Sequence, residues 1–142
     1  MRLPLFCSVV LMCLSSAAPA ADALRPDHPL LGTWALQIPN RACVETYEIR
    51  ADGTTLVTSA NEIAVSEFTI SDKPSEKGFY KWDDKIVKDN GGKDCSGQVT
   101  KPGKKVTLFL RFHPSGKLFV LCEKEDLKSC FGPFVRQEEQ AI

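Results

Sequence analysis

The segment GTWALQI, residues 32–38, is the part of the chain that decides the fold. Its alternation places Gly32, Trp34, Leu36 and Ile38 on one side and small or polar residues on the other. Side chains that alternate in this way belong to a strand with one buried face. The segment therefore predicts a half-buried first strand.

The same pattern continues to residue 136. Short segments rich in β-branched and aromatic residues are separated by turn residues, including Asp52-Gly53 and His113-Pro114-Ser115-Gly116, and this spacing is typical of an all-β sandwich or barrel. The predicted strands are residues 32–38, 44–50, 54–60, 63–71, 78–88, 105–112, 117–123 and 131–136. Because consecutive hairpins make each strand antiparallel to the next, the odd-numbered connections share one end of the sheet.

The N-terminus is typical of a secretory signal. Arg2 precedes an apolar run, residues 3–14, that is too short to cross a bilayer as a helix. The small residues Ala18 and Ala20 predict cleavage after Ala20 and a periplasmic or secreted product. Lipidation at Cys13 is the disfavoured alternative, because Met12 stands where a small residue is required.

The charge balance of the chain argues against a nucleic-acid partner. Without residues 1–20 the chain keeps 17 Lys and Arg against 18 Asp and Glu. A nucleic-acid binder would carry a basic stripe, whereas Lys101, Lys104 and Lys105 form only a local cluster beside a turn. We expect a monomer of one domain with no membrane span, ending in a disordered tail at residues 138–142.

Cysteine usage agrees with export. Two of the six cysteines leave with the signal, and an even number in an oxidising compartment predicts two disulfides. The remaining four are Cys43, Cys95, Cys122 and Cys130. The first two lie in the first and fifth connections and the last two flank the seventh, so all four are expected at one end. We prefer Cys43–Cys95 and Cys122–Cys130, since the second pair brackets one hairpin, and the other two connectivities stay open.

The segment HPLLGTW, residues 28–34, resembles the opening motif of the lipocalins, in which a short turn closes the barrel base before a Gly-x-Trp strand. The resemblance implies an eight-strand antiparallel up-and-down barrel over residues 32–137, closed at its base by residues 21–31. It also implies an arginine near the end of the last strand, stacked over the tryptophan. Arg136 matches that position, so Gly32, Trp34 and Arg136 are the predicted barrel base.

Further segments look like those of a group of small exported proteobacterial proteins, and this second resemblance covers nearly the whole mature chain. The segments are CVE at 43–45, RADGT at 50–54, DNGGKDC at 89–95 and CFGP at 130–133. The resemblance implies export but no particular chemistry. The chain is shorter than a lipocalin and lacks its C-terminal helix.

Two carboxylates are candidates for a ligand site. By alternation Glu45 and Asp84 fall on the faces that carry Tyr47 and Trp82. An unpaired carboxylate inside a barrel is costly, so each must meet water, a cation or a ligand. The alternatives are a bulge that turns them outward, or an ion pair with a nearby Lys or Arg.

Aromatic side chains give the second candidate site. Tyr80 and Trp82, with Leu108 on the next strand, are predicted to bind a ligand, although such side chains also simply fill the interior of small barrels. The resemblance places the open mouth at the cysteine end, where the longest connection, residues 89–104, is a candidate binding loop. Its Asp89, Asn90 and Asp94 do not match an EF-hand calcium loop.

Catalytic and metal motifs are lacking. Neither Ser96 nor Ser115 lies in a nucleophile elbow, and two histidines in separate turns predict neither a triad nor a zinc site. We expect a non-catalytic protein without cofactors that binds a small apolar ligand. The alternative is an inhibitor or interaction module that binds an extracytoplasmic protein through residues 21–29 and 89–104. A pocket above about 300 Å³ would favour the first, and a filled barrel with a protruding loop the second.

Overall fold

The computed structural model describes residues 22–138, so the predicted signal peptide, its cleavage site, residue 21 and tail residues 139–142 lie outside the described residues. The strands in chain order are β1 (Gly32–Gln37), β2 (Val44–Ile49), β3 (Thr54–Ser59), β4 (Glu62–Ile70), β5 (Tyr80–Asp89), β6 (Lys105–Phe112), β7 (Leu118–Cys122) and β8 (Cys130–Arg136). Each bound lies within two residues of its prediction. Between residues 22 and 138 no helix has the length and apolarity to cross a bilayer.

The strands form one closed barrel in which each pairs antiparallel with its neighbour in sequence. Closure occurs between β1 and β8, where Trp34 is opposite Arg136 and Leu36 is opposite Phe134. Pairing of the last strand with the first removes both free sheet edges, which would otherwise expose unpaired backbone groups. The predicted all-β up-and-down barrel is confirmed.

An aromatic core fills the base half of the barrel. Trp34, Phe119 and Phe134 are almost wholly buried. The ring of Phe119 stacks on Phe134 at 4.6 Å and meets Trp34 edge-on at 4.6 Å. Burial of a large apolar side chain contributes about 1.5–3 kcal/mol, so this cluster is a main source of stability.

Residues 22–31 cover the base of the barrel. The Trp34 indole N–H donates to the Leu30 carbonyl at 2.8 Å, and the Leu24 N–H donates to the Ala51 carbonyl at 2.8 Å. Leu30 is fully buried, and Leu24 packs against the same core. The segment thereby takes the position that the lipocalin resemblance implied for it.

Gly32 makes room for the arginine that covers this base. Its φ is +118°, a backbone conformation that residues with a side chain rarely adopt. A Cβ at this position would lie 3.0 Å from Nη1 of Arg136. The strand can therefore begin beneath Arg136 only because residue 32 has no side chain.

Two disulfides pin the opposite end. Cys43–Cys95 joins the β1–β2 connection to the long connection after β5, and Cys122–Cys130 closes the β7–β8 hairpin. The preferred connectivity is confirmed. Disulfides of this kind persist in oxidising compartments, in agreement with the predicted export.

Candidate functional site: a cavity inside the barrel

A pocket of about 180 Å³ lies inside the barrel beside the aromatic core. Every strand except β1 contributes to its wall. Two lining residues are exposed, Val106 at 40 % and Phe131 at 46 %, and they mark the opening. The other lining residues are Tyr47, Thr55, Val57, Ser66, Trp82, Asp84, Leu108, Leu121 and Phe134. The cavity is therefore mainly apolar, with a few polar groups.

Asp84 is the charged group of the cavity. The alternation of β5 turns it inward, as predicted, and the Ser66 hydroxyl donates to its Oδ1 at 2.7 Å. Burial raises the pKa of the Asp84 carboxyl, against the opposing influence of the Ser66 hydroxyl and the nearby Trp82 N–H. The carboxylate is thus deprived of water without gaining enough polar contacts to compensate.

Glu45 faces the interior of the barrel but does not line the cavity. The Tyr47 hydroxyl donates to its Oε2 at 2.5 Å, and the Ser59 hydroxyl donates to its Oε1 at 2.7 Å. Ser59 also accepts from the backbone N–H of Cys95 at 2.9 Å. Burial, then the nearby Glu45 charge, raise the pKa of Tyr47 far above its ordinary value, so its hydroxyl stays protonated. This network connects the wall of the cavity to the disulfide at the rim.

Neither inward carboxylate forms the ion pair that was one alternative. The ion pairs within residues 22–138 involve exposed side chains such as Arg25, Arg50 and Lys81, and none includes Glu45 or Asp84. Neutral hydroxyls from β2, β3 and β4 serve as partners instead. The negative charge of the interior is therefore not neutralised by a basic residue of the described chain.

Two polar atoms of the cavity have no partner. Thr55 is 1 % exposed and Trp82 is 5 % exposed, and both line the pocket. The Thr55 Oγ1 and the Trp82 Nε1 are buried without any hydrogen bond. Leaving such a group unsatisfied costs about 1–3 kcal/mol, and native proteins rarely do so. Both atoms belong to residues of the cavity wall, and the Trp82 N–H also lies near enough to the Asp84 carboxyl to lower its pKa.

The structure brings together four of the six predicted ligand-binding residues: Tyr47, Trp82, Asp84 and Leu108. Glu45 reaches the cavity only through Tyr47. Tyr80 does not line it, because its ring packs edge-on against His28 at 5.5 Å and Phe112 at 5.6 Å near the base.

Sequence reasoning missed the contribution of β3 and β4. Thr55, Val57 and Ser66 line the cavity, as does Leu121 of β7, and the sequences of these strands alternate too weakly to assign their inward faces. Their alternation pairs small polar residues with small apolar ones, which blurs the usual contrast between faces. The register would have found them, since Val57 is opposite Tyr47 and Ser66 is opposite Thr55.

Hydrogen bonds to neighbouring loops hold the first half of the long connection at the mouth. The Asn61 N–H donates to the Lys93 carbonyl at 3.0 Å, and the Arg41 guanidinium donates to the Cys95 carbonyl at 3.1 Å. At Gly92 a Cβ would lie 2.0 Å from the Asn61 carbonyl oxygen, so only glycine permits this approach. The part after Cys95 is mostly exposed.

The oxygens of this connection serve its turns. Asp94 Oδ1 accepts from the backbone N–H groups of Ser96 and Gln98, each at 2.8 Å. Asp89 Oδ1 accepts from the Gly91 N–H at 2.6 Å, whereas its Oδ2 is buried without a hydrogen bond. Over residues 22–138 no group of three or more His, Cys, Asp or Glu side chains is placed to hold a metal ion.

A larger depression of about 610 Å³ is lined mostly by outward-facing residues of β4, β5 and β6, and Phe68 and Asp84 also contribute to it. It is open to solvent along the sheet surface, and its acidic side chains stand beside lysines. Asp83 already accepts from Thr107 and pairs with Lys81 at 3.0 Å. This surface has the character of a solvated sheet face and lacks the unsatisfied buried atoms of the inner cavity.

Comparisons of the chain with family models, with curated proteins and with solved structures gave no match.

Proposed function

We propose that this chain is an exported, non-catalytic binding protein with a lipocalin-like barrel, and that it holds a small ligand in the inner cavity. The observation that carries the proposal is the unpartnered Thr55 hydroxyl in the wall of the cavity, together with the Trp82 N–H, which lies beside Asp84 without a hydrogen bond of good geometry. A bound molecule with a polar group would satisfy them.

The volume of the cavity limits the size of this ligand. About 180 Å³ does not reach the roughly 300 Å³ that was expected to favour a small-molecule carrier, so that criterion is not met and a drug-sized ligand is too large. An engineered apolar cavity of about 150 Å³ binds benzene. The ligand is therefore of single-ring size, smaller than a fatty acid or a similar lipid.

The chemistry of the wall requires an amphipathic molecule. Leu108, Leu121 and Phe134 offer an apolar surface, whereas Thr55 and Trp82 offer unused hydrogen-bonding capacity. Apolar walls with a few oriented polar groups are the usual composition of small-molecule sites. We accordingly refine the expected apolar ligand to one with a polar end.

The alternative function, binding of a protein through the rim, has less support. Hydrogen bonds to Asn61, Ser59 and Arg41 hold the first half of the long connection, so this part does not protrude as an inserting loop would. Its second half, after Cys95, offers the larger exposed surface.

Titration with benzyl alcohol tests the proposal, with the indole N–H resonances followed by NMR. The chain has two tryptophans, and the Trp82→Phe variant assigns the signal. We expect saturable shifts of the Trp82 resonance. Val57→Phe, which fills the cavity, should abolish them, whereas Leu56→Phe on the other face of β3 should not. Equal binding by both variants, or no binding by the unmodified protein, would count against a ligand cavity.

A further inference from the structure

We propose that the ligand of this cavity is a small organic cation, a protonated amine with an apolar body, and that the Asp84 carboxylate holds its ammonium group. This inference deepens the proposed function and rests on it. It assigns a charge to the ligand, which the volume and the apolar wall leave undefined.

The balance of charges inside the barrel is the first observation. Glu45, Glu62 and Asp84 all occupy inward-facing positions of the strands and are partly or wholly buried. Every lysine in the described part of the chain is exposed. Arg50 pairs with Glu48 on the surface at 2.9 Å, and Arg136 is occupied at the base. The interior is therefore acidic and lacks a cation of its own.

The hydrogen bonds of the two carboxylates near the cavity distinguish them. Glu45 has both oxygens engaged, one by Tyr47 and one by Ser59. Asp84 accepts from Ser66 on Oδ1 and has the Trp82 N–H nearby, which still leaves acceptor positions of the carboxylate open. Asp84 also lines the cavity directly, and Glu45 does not. Asp84 is thus the group that a ligand can reach and pair with.

The unpartnered Thr55 hydroxyl supplies an independent second observation. Thr55 is opposite Ser66 in the β3–β4 register, and Ser66 contacts Asp84, so the three polar groups lie on neighbouring strands of one wall. The Thr55 hydroxyl can accept a hydrogen bond from an ammonium group as readily as it can donate one. An ammonium group carries several donors, enough for both Asp84 and Thr55.

The electrostatic cost of Asp84 favours a cation over other ligands. Burial raises the pKa of this carboxyl, which means that its charged form is poorly stabilised in the empty protein. A cation within about 4–6 Å reverses that effect, because it stabilises the ionised form. An anion would instead meet the field of the three interior carboxylates. The aromatic rings of Tyr47, Trp82 and Phe134 add favourable contacts for a cation.

Three probes with the same ring separate charge from size: benzylamine, benzyl alcohol and benzoate. At pH 7 they are a cation, a neutral molecule and an anion of nearly equal volume. Isothermal titration calorimetry on the unmodified, disulfide-bonded protein should show benzylamine binding at least tenfold tighter than benzyl alcohol, and no binding of benzoate. This series requires no variant, so it decides the question even where a substitution impairs folding.

Substitutions then test the assignment to Asp84. Asp84→Asn should bring the ratio of benzylamine to benzyl alcohol affinity close to one. Asp83→Asn is the matched control, because Asp83 is the adjacent carboxylate on the outer face of β5. It should keep the full preference for the amine.

The outcomes separate the two proposals. If benzyl alcohol binds as tightly as benzylamine, or if Asp84→Asn keeps the preference, the charge assignment is overturned while the ligand cavity stands. If none of the three probes binds, the proposed function itself fails. Retained preference in Asp83→Asn together with its loss in Asp84→Asn supports both.

Discussion

The guanidinium of Arg136 lies 4.1 Å from the centre of the Trp34 ring, and it joins the last strand of the barrel to the first. Its Nη1 donates to the Leu31 carbonyl at 2.8 Å and its Nη2 to the Pro29 carbonyl at 2.5 Å. One side chain thus covers the core tryptophan and holds the N-terminal segment. Because the cavity lies beyond this core, the opening at Val106 and Phe131 is its route to solvent.

Replacement of Arg136 by lysine should lower the free energy of unfolding by roughly 1–3 kcal/mol. An ammonium cannot match the planar fork that bonds two separate carbonyls, and a hydrogen bond to a charged group contributes about 1.5–3 kcal/mol. The measurement is denaturant unfolding followed by tryptophan fluorescence.

Arg111→Lys is the control for this prediction. Arg111 lies over the Phe79 ring at 5.3 Å but is exposed, so the change should stay below about 0.5 kcal/mol. Equal effects of the two substitutions would show that Arg136 does no more than an ordinary surface cation.

The fold was largely predictable because turn chemistry and alternation agree along the whole chain. Asp52 accepts from the Thr54 N–H at 3.0 Å in the turn that its sequence predicted. Trp34 and Trp82 face inward as their strands alternate. Such agreement between local preference and overall architecture is what allows strands to be located from sequence.

The site was only partly predictable, since its partners come from strands with weak patterns. The inward position of Asp84 followed from alternation, but its bond to Ser66 depends on the register between β4 and β5. A bulge at Val65 and Ser66 shifts that register, and a shift of one residue moves every side chain to the other face. Tyr80 shares the face of Trp82, yet its neighbours at the base separate it from the cavity.

The two disulfides should differ in their contribution to stability. The half-cystines of Cys43–Cys95 are 52 residues apart, and those of Cys122–Cys130 are 8 apart. On the chain-entropy model, these loops stabilise by about 4 and about 2.5 kcal/mol. The C43A/C95A double variant should therefore lose more stability than C122A/C130A in denaturant unfolding. The reverse order would show that effects in the native state outweigh loop closure.

Replacement of the two adjacent carboxylates of β5 should change the stability of the protein at pH 7 in opposite directions. The pKa of Asp84 is raised in the folded protein, chiefly by burial, so the folded state binds this proton more tightly than the unfolded state, whose carboxyl has a pKa of about 3.9. The stability it provides is fully present below that value and is lost as pH rises through the folded pKa. Asp84→Asn should therefore be more stable than the unmodified protein at pH 7, and the advantage should disappear near pH 3.

Asp83 provides the opposite case. The Thr107 hydroxyl and then Lys81 lower the pKa of its carboxyl, so its contribution is present above the unfolded pKa and is lost as pH falls through the folded one. Asp83→Asn should thus be less stable than the unmodified protein at pH 7. Melting temperatures of both variants between pH 3 and pH 8 test this. Glu45, Glu62 and Tyr47 face the same interior and are unchanged in all three proteins. A loss of stability at pH 7 in both variants would mean that Ser66 compensates the Asp84 charge fully, and the cavity would then have no electrostatic need for a cation.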